Sequence, residues 1–153
     1  MKVINKSLEV GIPTATAFSE WTRFEDLPRF LPGVAEVRCC GDDYLYWVAE
    51  VGGLERVWEL EIAERVAGER LAWRTVRGPR TWGCVSFDEV SPTRCRIRVE
   101  MSYDPQGFLG LVGDYFGLAD RWVARSLETF RQLMEEPDTD FGKLPPAEYL
   151  IGQ

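Results

Sequence analysis

The sequence predicts an α+β fold in which a curved antiparallel sheet wraps around a long C-terminal helix. Between residues 34 and 103, short runs of alternating apolar and polar residues are separated by turns rich in glycine, aspartate and proline, which is typical of antiparallel strands. Between residues 106 and 136, apolar residues recur every three or four positions, which is typical of an amphipathic helix. One alternating run and two short helical segments come first, so the predicted order is β-α-α-β6-α.

The chain begins with the strand and the two short helices. Residues 3–10 alternate between apolar and polar, as in a half-buried strand. Apolar residues then recur at helical spacing from Pro13 onwards, until a proline-glycine pair at Pro32 ends the second helix. Pro28 is expected in the first turn of that second helix, because proline is tolerated there.

The six strands that follow have one apolar and one charged face. The charged face carries glutamates and arginines and is predicted to contact water. A single arginine, Arg56, falls on the apolar face. The other members of that face include Leu45, Trp47, Ala49, Trp58, Leu60, Ile62, Leu71, Trp73, Val85, Phe87, Ile97, Val99, Met101 and Tyr103.

The apolar face of the sheet needs a cover, and the segment from residue 106 to 136 is predicted to supply it. As a straight helix it would extend roughly 45 Å at 1.5 Å per residue. Four glycines in its first half leave space or flexibility there, namely Gly107, Gly110, Gly113 and Gly117. Its apolar stripe contains Phe108, Val112, Phe116, Ala119, Trp122, Val123, Leu127, Phe130 and Met134.

The length of 153 residues fits a single domain, which we expect to span residues 1–136. Residues 137–153 form a C-terminal tail without apolar periodicity, in which Pro145 and Pro146 favour an extended linker. The tail could pack on its own domain or on a neighbouring copy. A monomer and a homodimer therefore both remain open.

The composition excludes several classes of function. The chain has no histidine, which excludes a Ser-His-Asp triad and histidine metal ligands within it. A net charge of −7 argues against nucleic acid as a partner. Its four cysteines lack the spacing of a zinc site, so neither a metal nor another cofactor is predicted. No stretch is long and apolar enough for a membrane span or a signal peptide, so we expect a cytoplasmic protein without integral membrane association.

Three blocks of sequence carry a resemblance to a known family. The block WTRFEDLPRFLPGVAEV at Trp21–Val37 resembles the signature of the polyketide cyclase/dehydrase branch of the START and Bet v 1-like (SRPBCC) superfamily. Two further blocks agree, VGGLERVWELEI at Val51–Ile62 and YDPQGFLGLVGDYFGL at Tyr103–Leu118. The similarity covers about residues 3–135. It implies the helix-grip (Bet v 1-like) fold, with a cavity for a hydrophobic ligand between the sheet and the last helix.

Two polar side chains are candidates for ligand contacts in such a cavity. Arg56 on the apolar face would anchor an oxygen-rich ligand, unless its side chain extends along the strand to reach water. Tyr103 ends its strand next to the glycine-rich helix start and is predicted to offer a hydroxyl to the ligand. The other predicted lining residues, which a packed core would also explain, are Trp47, Trp58, Trp73, Val99, Met101, Val112, Phe116 and Trp122.

The leading hypothesis is a carrier, sensor or chaperone that binds a hydrophobic or amphipathic small molecule, such as a lipid, a quinone or a polyketide. The resemblance also implies an alternative, a cyclase/dehydrase-like enzyme that acts on a polyketone and uses Arg56 and Tyr103 to polarise carbonyls. A third hypothesis is a protein-interaction module whose groove takes a partner segment. The residues reveal no clear catalytic centre, so whether a reaction is catalysed stays open.

Overall fold

The computed structural model describes residues 2–51, 54–104 and 118–135. Within this part, the chain forms a strand, a short α-helix, a 3-10 helix, six further strands and a C-terminal helix. These elements are β1 (Lys2–Val10), α1 (Thr14–Trp21), the 3-10 helix (Phe24–Arg29), β2 (Val34–Cys39), β3 (Tyr44–Val51), β4 (Leu54–Val66), β5 (Arg70–Arg77), β6 (Thr81–Ser91), β7 (Arg94–Tyr103) and α2 (Leu118–Glu135).

The seven strands form one antiparallel sheet in the order β1-β7-β6-β5-β4-β3-β2. Each strand from β2 to β6 is followed by the strand that pairs with it. The last strand, β7, also pairs with β1 along the whole length of β1, from Lys2 opposite Tyr103 to Val10 opposite Cys95. Register shifts in β4 bend the sheet, because an extra residue on one strand increases its twist and curvature. The curled sheet and its C-terminal helix confirm the predicted α+β helix-grip fold.

The alternation within the strands confirms which face is buried. In β7, every second residue from Cys95 to Tyr103 is buried, whereas the residues between them lie toward solvent. The outer face is covered by cross-strand ion pairs. Arg74 Nη2 lies 2.7 Å from Glu61 Oε1, and Arg70 Nη2 lies 2.8 Å from Glu64 Oε2, each pair joining β4 to β5.

An aromatic cluster joins the helical elements at one end of the sheet. The ring centroids of Trp21, Phe30 and Phe130 lie 4.8 to 5.6 Å apart, in tilted and edge-to-face arrangements that aromatic rings favour. Phe18 and Phe87 extend the cluster onto β6. The cluster therefore fixes α1, the 3-10 helix and α2 against the sheet.

Two hydrogen bonds fix α2 at its two ends. Near its start, Trp122 Nε1 donates to the carbonyl oxygen of Pro32 at 2.6 Å. At its other end, Glu135 Oε2 accepts a 2.7 Å hydrogen bond from the backbone N–H of Gly11, just after β1. The helix is thus held both to the loop after the 3-10 helix and to the edge of the sheet.

One prediction about the helices differs from the structure, and another extends beyond the described residues. The second helix is a 3-10 helix, and Pro28 is its fifth residue rather than part of its first turn. The tighter i to i+3 bonding suits this short segment, since proline removes only one of its bonds. Of the predicted helix 106–136, residues 118–135 are helical, whereas 106–117 and the tail 137–153 lie outside the described residues. None of the helices in the described part is long and apolar enough to cross a membrane.

Candidate functional site

A cavity of about 660 Å³ lies between the inner face of the sheet and α2. This volume falls within the range of ~300–1,000 Å³ that is typical of small-molecule sites. Its walls come from the end of α1, from the 3-10 helix and the loop after it, from β2 to β7, and from α2. Because most of the lining side chains are apolar, the interior suits the apolar part of a ligand.

Tryptophans form a large part of the wall. Five of the six tryptophans line the cavity, and Trp82 on the outer face is the exception. Trp47 and Trp58 stand directly opposite each other on β3 and β4. The predicted site residues that the structure places in the lining are Trp47, Trp58, Trp73, Val99, Met101 and Trp122. Their contact with a ligand remains a prediction.

The two predicted polar contacts are placed elsewhere. Among the described lining residues, neither Arg56 nor Tyr103 is present. Arg56 is half-buried, and its Nη1 donates to the carbonyl oxygen of the adjacent Glu55 at 3.3 Å. Its long side chain therefore turns to the strand backbone and solvent, which avoids burying a charge without a partner. Tyr103 is buried at the end of β7.

Val112 and Phe116, the two remaining predicted lining residues, lie outside the described residues.

Two glycines allow the tryptophan wall to form. Gly83 stands opposite Trp73, and a Cβ on Gly83 would come within 2.7 Å of the Trp73 ring and 2.6 Å of the Glu100 carbonyl oxygen. Gly78 has a φ of +108°, and a Cβ there would meet Trp58 at 3.2 Å. The indoles of Trp73 and Trp58 thus occupy space that a side chain at position 83 or 78 would fill.

A hydrogen-bonded turn supports the same region. Thr75 Oγ1 lies 2.9 Å from both the backbone N and the backbone O of Thr81, so the hydroxyl accepts from one and donates to the other. This arrangement ties the end of β5 to the start of β6. It holds Thr81, which is buried and lines the cavity, in a fixed position.

The cavity has a polar rim, which we define as its exposed lining residues Gly33, Glu50, Arg121 and Arg125. The two arginines stand one turn apart on α2. Helical periodicity alone does not indicate these two residues, because it marks apolar positions only. A usable signal was present: both arginines flank Trp122 and Ser126, which lie on the buried side of the helix.

The indole N–H groups of the wall differ in their hydrogen bonding. Trp122 Nε1 is bonded to Pro32, as described above. In contrast, the Nε1 atoms of Trp21 and Trp47 are buried and have no hydrogen-bond partner in the described part of the chain. A buried donor without an acceptor costs roughly 1–3 kcal/mol, so these two groups lower the stability of the wall.

Groups with a displaced pKa lie away from the cavity. On the outer face, the Glu59 carboxylate accepts a hydrogen bond from the Tyr44 hydroxyl and raises the pKa of Tyr44. Arg70 lowers the pKa of Glu64 through its hydrogen bonds. Among the described residues, no three histidine, cysteine or acidic side chains cluster as metal ligands would. The arrangement is therefore that of an apolar container with a charged rim.

Comparison with known proteins agrees with this architecture. The model of the family described as polyketide cyclase/dehydrase and lipid transport matches residues 10–130. A protein of Streptomyces lincolnensis, described as an uncharacterized 17.2 kDa protein in the melC2-rnhH intergenic region, is 33% identical over 143 residues. The match covers 93% of this chain and 95% of that protein.

Solved structures share the fold at low sequence identity. The Zhui aromatase/cyclase from Streptomyces sp. R1128 superposes with a TM-score of 0.72 at 13% identity, over 94% of this chain and 99% of that chain. A START superfamily protein from Mycobacterium smegmatis superposes with a TM-score of 0.68 at 13% identity, over 87% and 94% of the two chains. At such identities these likenesses concern the fold alone. The family match and the Streptomyces lincolnensis relative establish that the chain belongs to the polyketide cyclase/dehydrase and lipid transport family.

Proposed function

We propose that this protein binds a hydrophobic or amphipathic small molecule in the cavity between the sheet and α2, as a carrier, sensor or chaperone for it. The observation that carries the proposal is the cavity of about 660 Å³ with its largely apolar wall. A ligand that buries about 300 Å² of apolar surface there gains roughly 7 kcal/mol before the costs of association. The family description, which includes lipid transport, supports the same class of ligand.

The distribution of polar groups favours binding over catalysis. The sole carboxylate in the described lining belongs to Glu50, which is exposed on the rim. Arg56 and Tyr103, the pair expected to polarise carbonyls in an enzyme, are not among the described lining residues. An open cavity also argues against the interaction-module hypothesis, which expects a filled core. We therefore propose ligand binding without assigning a reaction.

The test is the uptake of N-phenyl-1-naphthylamine, a neutral probe whose fluorescence rises in apolar surroundings. Because five tryptophans line the cavity, energy transfer from tryptophan to the probe reports whether the probe lies near this wall. The substitution Ala49→Phe places a ring in the lining of β3, where Ala49 is buried. Its matched control is Ala63→Phe, since Ala63 is exposed on β4 and does not line this cavity.

We expect saturable uptake by the wild-type protein and by Ala63→Phe. For Ala49→Phe we expect the affinity to fall about tenfold, which corresponds to 1.4 kcal/mol. Uptake that Ala49→Phe does not weaken more than Ala63→Phe would show that the probe binds elsewhere. A wild-type protein that takes up no probe would contradict the proposal.

A further inference from the structure

The described part of the cavity rim carries more positive than negative side chains, although the chain as a whole is acidic. The chain carries a net charge of −7, yet the charged residues in the described lining are Glu50, Arg121 and Arg125. Two positive side chains and one negative side chain therefore stand on the described part of the rim.

Arg125 stands out among the arginines of the described residues. Most of them pair with a carboxylate. On α2, for example, Arg131 Nη2 lies 2.5 Å from Glu128 Oε2. Arg125 is exposed and has no such partner in the described part. Arg56 and Arg80 also form no ion pair with a described carboxylate, but they do not line the cavity. Arg125 is thus a cation on the cavity rim that forms no ion pair with a carboxylate of the described residues.

The geometry of α2 places both guanidinium groups on one side of the entrance. Residues four apart on a helix are neighbours, separated by about 6 Å along the axis. The hydrogen bond from Trp122 to Pro32 holds this turn of the helix against the loop that contributes Gly33 to the rim. The two arginines therefore have a fixed platform from which their long side chains reach the entrance.

We propose that Arg121 and Arg125 bind the anionic head group of an amphipathic ligand whose apolar part occupies the cavity. A guanidinium fork matches the geometry of a carboxylate or a phosphate ester, and an apolar cavity below it matches an alkyl or polycyclic body. This inference rests on the proposed function and narrows it to anionic amphiphiles. Since both arginines are exposed and Glu50 shares the rim, the contribution of the pair to affinity is modest.

The experiment measures displacement of N-phenyl-1-naphthylamine by three competitors that are each built on a twelve-carbon chain: dodecanoate, dodecyl phosphate and methyl dodecanoate. The variant replaces both rim arginines, as Arg121→Gln with Arg125→Gln. The matched control is Arg77→Gln with Arg131→Gln, which also removes two arginine charges, at positions that do not line the cavity. The competitors are compared at low ionic strength and again with added salt, and circular dichroism checks that each variant is folded.

For the wild-type protein and the control, we expect the anionic competitors to bind about five- to tenfold more tightly than the methyl ester. Of the two anions, the one that binds more tightly identifies whether the rim favours a carboxylate or a phosphate. In the rim variant we expect the preference for anions to disappear while the affinity for the ester stays the same. Added salt should weaken the preference in the wild-type protein.

Equal binding of anions and ester by the wild-type protein would overturn this inference and leave the proposed function standing. The same holds if the rim variant keeps the preference. A wild-type protein that binds neither the probe nor any competitor would contradict the proposed function and, with it, this inference.

Discussion

The indole of Trp122 does more than fill space, since it also joins α2 to the loop that faces it. Its N–H donates to the Pro32 carbonyl oxygen at 2.6 Å. The indole of Trp47 lines the same cavity, but its buried N–H has no partner in the described part. Two tryptophans of one wall thus differ by a single hydrogen bond, which makes them a matched pair.

Replacing each of these tryptophans by phenylalanine isolates the value of that bond. Both substitutions shorten a ring in the cavity wall, but only Trp122→Phe leaves the Pro32 carbonyl without its donor. We expect Trp122→Phe to lower the free energy of unfolding by about 1 kcal/mol more than Trp47→Phe does. Urea denaturation measures both. Equal losses would show that the 2.6 Å contact contributes nothing to stability.

At the level of elements, the aromatic cluster decides whether α2 stays on the sheet. Phe130 is fully buried, at 0% exposure, and contacts rings from α1 and from the end of the 3-10 segment. Phe130→Ala removes all of these contacts and is expected to lower the free energy of unfolding by about 3–5 kcal/mol. The control Val3→Ala changes a side chain that is 72% exposed on β1, and we expect it to cost less than about 0.5 kcal/mol.

Chemical denaturation followed by circular dichroism measures this difference. A loss for Phe130→Ala close to that of the Val3→Ala control would mean that the end of α2 does not pack on the aromatic cluster.

The pairing of β1 with β7 has an ionic component that depends on pH. Glu9 on β1 accepts hydrogen bonds from Arg94 at 3.0 Å and from Arg96 at 2.5 Å on β7. The bond from Arg94, and then that from Arg96, holds the pKa of Glu9 below its ordinary value of 4.5. A lowered pKa in the folded state stabilises the protein above pH 4.5, and this contribution disappears as the pH falls through the folded-state pKa.

Comparing the wild-type protein with Glu9→Gln tests this effect. We expect the wild-type protein to be slightly more stable at pH 7, with the difference shrinking as the pH falls below 4.5. The difference should also shrink at high salt, because these side chains are exposed to solvent. Thermal melting from pH 3 to pH 7 measures it. A difference that stays constant over this range would mean that the ion pairs do not stabilise the edge of the sheet.

At the scale of the whole molecule, the fold could be predicted from the sequence, because the alternation of apolar and polar residues determines which face of a strand is buried. The predicted inner residues of β7, from Cys95 to Tyr103, are all buried. The short helices were harder to predict. Helical spacing did not distinguish a 3-10 helix from an α-helix at Phe24–Arg29, because the two periods differ by only about 0.6 residue per turn and the segment makes no more than two turns.

The site was predictable only in its apolar part. The alternation predicted that Trp47, Trp58 and Trp73 lie toward the helix, but it does not predict the conformation of a long side chain. Arg56 shows this limit, since its strand position is inward while its guanidinium bonds to the backbone of Glu55. Arg121 and Arg125 show the converse, because they lie outside the apolar stripe of α2 and yet reach the cavity.

The central claim is that one hydrophobic or amphipathic molecule occupies the cavity between the sheet and α2. Native mass spectrometry of the protein mixed with N-phenyl-1-naphthylamine tests it most directly, because it counts ligands per chain. We predict one bound probe on the wild-type protein and on Ala63→Phe, and a smaller bound fraction on Ala49→Phe, in line with its about tenfold weaker affinity. The absence of a bound probe on the wild-type protein, or equal binding by Ala49→Phe and Ala63→Phe, would contradict the account.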